Sequence, residues 1–103
     1  MEPTFEELTT NSPIPVLVDF WAPWCAPCRA MHPVLDELEA ELGERVRVVR
    51  IDVDEQLDLA VRMKVMGVPT FMVYKDGRVF WRQAGVFSKE SLKTVVEAAE
   101  KAA

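Results

Sequence analysis

The residues most able to do chemistry are two cysteines in the segment Trp24-Cys25-Ala26-Pro27-Cys28. Two intervening residues at the start of a predicted helix bring the sulfurs within bonding reach and leave Cys25 exposed at the helix end. Unpaired backbone N–H groups and the positive end of the helix dipole favour a thiolate there, which lowers the pKa of Cys25 and makes it a nucleophile near neutral pH. Cys28, one turn inside the helix, is expected to be less exposed and to stay protonated.

Two other uses of the cysteine pair are a structural disulfide and a metal site. A bridge across two residues closes too small a loop to restrain much of the unfolded chain. Zinc needs four ligands, and His32 is the only histidine, so one chain cannot complete a site. A dimer sharing zinc or an iron–sulfur cluster through two such pairs leaves a metal- or cluster-bridged binding module open. Otherwise His32 is expected only to face solvent.

Asp19 is the second candidate for chemistry. It lies inside the apolar run Val16-Leu17-Val18-Asp19-Phe20-Trp21, which is typical of a strand buried on both faces. Desolvation should raise the pKa of this carboxyl. Because aspartate is rarely buried without a partner, its position favours a functional role.

Alternating helices and strands must position these groups. Helices are predicted for Thr4–Thr10, from Cys28 to Leu42, for Leu57–Lys64 and after a Ser88 cap, and strands for Val16–Trp21, Val46–Val53, Thr70–Lys75 and Arg78–Gln83. The dipeptide Asp76-Gly77 predicts a tight hairpin between the last two strands. Strand, helix and strand in succession predict a right-handed parallel crossover, and hence an α/β fold whose mixed sheet has helices on both faces. The core is predicted to contain four aromatic residues, Phe20, Trp21, Phe71 and Phe80.

Composition limits the classes of function. The 103 residues, half of them hydrophobic, predict one domain spanning 1–103. A net charge of -5 argues against nucleic acid and anionic membranes as partners. Apolar runs fall short of the ~20 residues that cross a bilayer. The acidic amino terminus does not resemble a secretory signal, so a cytoplasmic location is expected.

Further motifs follow the segment from Val18 to Cys28, at Pro33, Gly67-Val68-Pro69-Thr70, Asp76-Gly77 and Gly85. With that segment, they make the chain resemble the thioredoxin family over nearly its whole length. Ala26 departs from the family's usual glycine, which puts the reduction potential in doubt. The region before Val16 is shorter than usual, so we expect a four-stranded thioredoxin fold without the family's leading strand.

The resemblance implies a protein-disulfide reductase, a thiol–disulfide oxidoreductase serving electron transport and cell redox homeostasis. Cys25 would attack a disulfide and Cys28 would resolve the mixed disulfide, with Ala26 and Pro27 as supporting residues between them. Asp19 would lie behind the pair and exchange a proton with Cys28. Arg50 stands where the family commonly has a lysine near that aspartate, although an ordinary strand-end charge explains it equally well.

The resemblance also implies a surface for client proteins and a set of partners. The Val68–Pro69 bond would be cis and face the cysteines, the Val68 backbone would pair with an extended client segment, and Trp24, Gly67 and Gly85 would shape the surface. The expected partners are disulfide-containing clients and a flavin- and NADPH-dependent thioredoxin reductase, so the chain, expected to be a monomer, would bind no cofactor or metal itself. A specialised thiol oxidant or a reductant dedicated to one pathway remains the alternative.

Overall fold

The structure, a computed structural model, describes residues 3–102. Within this range, helices and strands alternate along most of the chain. The helices are α1 Phe5–Thr10, α2 Ala26–Leu42, α3 Leu57–Arg62 and α4 Lys89–Lys101, and the strands are β1 Val16–Trp21, β2 Arg47–Asp52, β3 Thr70–Lys75 and β4 Arg78–Ala84. No helix among these residues is long and apolar enough to span a membrane.

The four strands form one mixed sheet in the order β2-β1-β3-β4. β1 runs parallel to β2 and antiparallel to β3, and β3 pairs with β4 as a hairpin. The predicted four-stranded sheet without a leading strand is therefore confirmed over the described residues. The register places Asp19 of β1 directly opposite Arg50 of β2.

Two local features predicted from the sequence are present, the start of α1 at Thr4 and the tight turn between β3 and β4. The Glu7 backbone N–H donates to Thr4 Oγ1 at 3.1 Å, and the Thr4 N–H donates to Glu7 Oε1 at 3.0 Å, so both halves of a capping box start α1. At the hairpin, Asp76 and Gly77 have φ angles of 52° and 80°. Positive φ at both central residues is the requirement of a type I′ turn, whose twist matches that of the strands.

Helices cover both faces of the sheet, as predicted. One core, between the sheet and helices α2 and α4, includes Leu17, Leu35, Phe71 and Val96. The other, on the side of α1 and α3, includes Val16, Val18, Phe20, Leu59 and Met72. Successive side chains of a strand point to opposite faces, so Asp19 lies on the same face as Leu17, beneath α2.

The prediction that Phe80 belongs to the core is wrong, because its side chain is exposed. In the β3–β4 pairing, Val73 lies opposite Trp81 and Tyr74 lies opposite Val79. Phe80 is thus the extra residue of a β-bulge on an edge strand, where the alternation of inward and outward side chains is interrupted. Of the other three aromatic residues assigned to the core, Phe20 and Phe71 are buried and Trp21 is half-buried.

Candidate active site

Cys25 and Cys28 form a disulfide at the amino end of α2, with 5.2 Å between their Cα atoms. Cys25 is the N-cap residue, and the helix begins at Ala26, two residues before the predicted start. The Cys28 backbone N–H donates to Cys25 Sγ at 3.2 Å. One of the unpaired donors of the helix end is therefore aimed at the first sulfur.

The exposed fractions of the two cysteines differ only slightly. Cys25 is 6% exposed and Cys28 is 0% exposed. The predicted order is right, but the expectation that Cys25 is exposed at the helix end is wrong, because it is buried. Cys25 packs with Ala22 and Cys28 in a small cluster against Trp21 and Val68, which covers most of its surface. Ala26 and Pro27, in the first turn of α2, are exposed.

Asp19 is completely buried, and neither of its carboxylate oxygens has a hydrogen-bond partner among residues 3–102. Burial raises the pKa of Asp19 from 3.8 to about 7, against an opposing attraction from Arg50. Desolvation outweighs the single nearby positive charge, so both protonation states are populated near neutral pH.

Arg50 is held away from the cysteine surface by partners on α2. Its Nη2 donates to Asp36 Oδ1 and to Glu39 Oε1, each at 2.7 Å. Its Nη1 lies 3.3 Å from His32 Nδ1, and the His32 ring meets Trp21 edge-on at 4.8 Å between centroids. The expectation that His32 only faces solvent is wrong, because the packing of α2 on the sheet half-buries it between these two partners.

Val68 and Pro69 belong to a loop beside Cys25. The peptide bond between them is cis. The Val68 carbonyl oxygen is 3.7 Å from Cys25 Sγ. The N–H of Gly85 donates to the Pro69 carbonyl at 3.0 Å, which places Gly85 beside this loop. Gly85 has a φ of 120°, a conformation that favours glycine.

Gly67 needs no special backbone conformation, since its φ lies outside the left-handed region. A Cβ built on it would meet no heavy atom of the described residues within 4 Å. No contact among residues 3–102 therefore requires a glycine at this position, and a glycine there leaves room for another backbone to come close.

An apolar groove of about 200 Å³ extends from this loop along α3. It is lined by nine residues, Trp24, Val53, Leu57, Ala60, Val61, Val65, Met66, Gly67 and Val68. The exposed Trp24 forms one wall, and its Nε1 donates to Asp54 Oδ2 at 3.0 Å. Below, "the groove" denotes these nine residues.

Of the predicted surface residues, Trp24, Gly67 and Val68 line the same groove. Pro69 and Gly85 are joined by the hydrogen bond from the Gly85 N–H to the Pro69 carbonyl. Asp19 lies on the sheet beneath α2, and Arg50 lies opposite it with its guanidinium turned to α2. No cluster of three or more His, Cys, Asp or Glu side chains suited to a metal ion occurs within residues 3–102.

Sequence reasoning missed Asp54, the His32 contacts and the apolar side chains of α3. Only the α3 residues left a signal in the sequence, because Leu57 and Val61 are apolar and one helical turn apart. Their exposure is known only from the structure.

The chain is similar to known proteins over most of its length. The family model Thioredoxin matches residues 1–98. The chain is 48% identical over 81 residues to a thioredoxin of Bacillus subtilis, an alignment covering 79% of this chain and 78% of that protein. It is 40% identical over 92 residues to a thioredoxin of Haemophilus influenzae, covering 89% and 86%. A solved structure of a mutant thioredoxin from Halobacterium salinarum is similar with a TM-score of 0.84 at 35% identity, covering 95% of this chain and 84% of that one.

Proposed function

The chain belongs to the thioredoxin family and is a thiol–disulfide reductase, and we propose that Cys25 is its attacking sulfur and Cys28 its resolving sulfur. The observation that carries this assignment is the placing of Cys25 at the amino end of α2, with the Cys28 N–H directed at its sulfur. In the reduced chain the same donor and the helix dipole stabilise a thiolate on Cys25. Cys28 has no exposed surface, so a client disulfide reaches Cys25 first.

The reaction is two successive exchanges. The Cys25 thiolate attacks one sulfur of a client disulfide, forms a mixed disulfide and releases the other client sulfur as a thiolate. Cys28 then loses its proton and attacks Cys25 Sγ, forming the Cys25–Cys28 disulfide and releasing the second client thiolate. Two electrons pass from the chain to the client. Because the two cysteines are already held together, the second step is intramolecular and fast.

Asp19 is proposed as the group that takes the proton from Cys28. Asp19 lies on the sheet face that α2 covers, and Cys28 lies on the buried side of α2. A proton acceptor works best when its pKa lies near the working pH, which a pKa of about 7 satisfies. Arg50 is proposed to act on this step only through its charge, by opposing the effect of burial on the pKa of Asp19.

The client is proposed to dock along the cis loop. The backbone of Val68 would pair with an extended client segment, with its carbonyl oxygen already 3.7 Å from the attacking sulfur. The absence of a side chain at Gly67 and Gly85 would allow the client backbone to come close, and Trp24 and Pro69 would provide apolar contact. Ala26 and Pro27, exposed in the first turn of α2, would border the docked client segment.

Thioredoxins act on disulfide substrates together with thioredoxin reductase. For this chain we infer a monomeric single domain, residues 1–103, that is reduced again by a flavin- and NADPH-dependent reductase and binds no cofactor itself. A cytoplasmic location suits a dithiol reductant, since the cytosol keeps thiols reduced.

Replacement of Cys28 with serine tests the assignment of the two sulfurs. Cys28→Ser should reduce no disulfide catalytically and should hold clients as mixed disulfides on Cys25, visible on non-reducing gels and released by dithiothreitol. Cys25→Ser, the matched control, should hold none. Insulin turnover by Cys28→Ser at the parental rate would overturn the assignment.

A second measurement distinguishes a general reductase from a specialised oxidant. It is the reduction potential of the Cys25–Cys28 pair, determined against glutathione.

A further inference from the structure

Met66 is the methionine most open to solvent among residues 3–102. Its side chain is 95% exposed, whereas Met31 is 1% and Met72 0% exposed and Met63 is half-buried. Peroxides oxidise the thioether of methionine to a sulfoxide, and susceptibility follows exposure. Met66 should therefore react before the other three.

Oxidation of Met66 would change the surface next to Cys25. Met66 precedes Gly67 and Val68 in the loop that faces Cys25, and it lines the groove together with Trp24 and Val61. Methionine is apolar and flexible, which suits contact with varied clients. Its sulfoxide is polar and chiral and disrupts such contacts.

The groove has no free side-chain donor for the oxygen of a sulfoxide. All nine side-chain positions that line it are apolar or glycine, and its one side-chain donor, Trp24 Nε1, already donates to Asp54. A docking client would have to strip water from the sulfoxide oxygen without replacing its hydrogen bonds, which is unfavourable.

We propose that Met66 is an oxidative modification site at which a peroxide weakens client docking without stopping disulfide exchange. In the modification, the thioether sulfur attacks the peroxide, the O–O bond breaks, an S–O bond forms and water leaves, so methionine loses the two electrons that the peroxide gains. Methionine sulfoxide reductases reverse the change, so the loss of docking would be reversible. The proposal rests on the proposed function, since it assumes that clients contact the groove.

The test treats the chain with hydrogen peroxide while Cys25 and Cys28 are joined, so that no thiolate is open to oxidation. Catalase then removes the peroxide, and fragment masses distinguish Met66 from Met72. Sulfoxide should form at Met66 well before Met63, Met31 or Met72. Equal or faster oxidation of Met63 would overturn the proposal.

The functional measurement compares each protein before and after peroxide, with insulin as the client and dithiobis(nitrobenzoate) as a small disulfide that needs no groove. For the parent chain, kcat/KM for insulin should fall about threefold or more, as expected when one polar group enters an apolar contact, and the small disulfide should be reduced as before. For Met66→Leu, which has no sulfur to oxidise, peroxide should change neither rate. The Met66→Gln variant should resemble the oxidised parent without peroxide.

The outcomes separate this proposal from the proposed function. An unchanged insulin rate in the fully oxidised parent, equal loss of both substrates, or the same loss in Met66→Leu would each overturn the role of Met66. An untreated parent that reduces neither substrate would instead overturn the proposed function.

Discussion

Replacing Asp19 with asparagine should make the chain more stable at alkaline pH. The folded chain holds the Asp19 carboxyl in a buried site without a hydrogen-bond partner among the described residues, and its pKa rises from 3.8 to about 7. A raised carboxyl pKa means that the folded state keeps a proton that the unfolded state has lost. Stability is therefore lost as the pH rises from 3.8 to about 7, and the full loss remains above that range.

The magnitude follows from these two pKa values. A span from 3.8 to about 7, at about 1.4 kcal/mol for each pH unit, corresponds to roughly 4 kcal/mol at high pH. Part of the loss occurs below pH 5, so the parent should lose roughly 2.5 kcal/mol between pH 5 and pH 8.5 relative to Asp19→Asn. Asparagine has a similar shape and no charge at either pH, so its variant lacks this contribution.

Urea unfolding of the disulfide form at pH 5 and pH 8.5 measures the difference. Asp58→Asn, which removes an exposed carboxyl from the first turn of α3, is the matched control and should follow the parent at both values. If the gap between the parent and Asp19→Asn were the same at pH 5 and pH 8.5, Asp19 would not carry a raised pKa in the folded chain. The reasoning about proton transfer to Asp19 would then fail as well.

Two further predictions concern Arg50 and Gly67. Arg50→Gln removes the charge that lowers the pKa of Asp19, so the loss of stability with pH should extend to higher pH, and the same change in the Asp19→Asn background should show no such extension. An unaltered profile in the single variant would mean that Arg50 does not act on Asp19. Gly67→Ala should keep or slightly raise stability, by up to about 0.5 kcal/mol, because its Cβ would meet no described residue within 4 Å. Its insulin reduction should nevertheless fall while dithiobis(nitrobenzoate) reduction stays the same, and equal rates with insulin would contradict the docking of clients at this loop.

Features that depend on a few neighbouring residues could be predicted from the sequence. The capping box of Thr4 and Glu7 and the turn at Asp76-Gly77 each depend on residues no more than three apart, and both form. The strand Val16–Trp21 was predicted at its observed bounds, since a continuous apolar run is typical of a central strand. Such signals were sufficient for the fold class and for the place of the cysteine pair.

Features that depend on how distant elements meet could not be predicted. Trp24 and Asp54 are 30 residues apart, and His32 and Arg50 are 18 apart. Each contact exists only because two elements lie side by side in the fold. The prediction that Phe80 belongs to the core was wrong for the same reason. The bulge at Phe80 depends on the pairing of β4 with β3 and not on β4 alone.

The burial of Asp19 links the stability of the fold to its proposed chemistry. A neutral residue at this position would avoid roughly 4 kcal/mol of destabilisation at high pH, a large part of the 5–15 kcal/mol that usually holds a domain of this size together. Removing the carboxylate from water is also what brings its pKa to the range that a proton acceptor needs near neutral pH, the role proposed for Asp19 beside Cys28. The same desolvation therefore destabilises the fold and suits Asp19 to its proposed role, so a variant that removes one effect should remove the other.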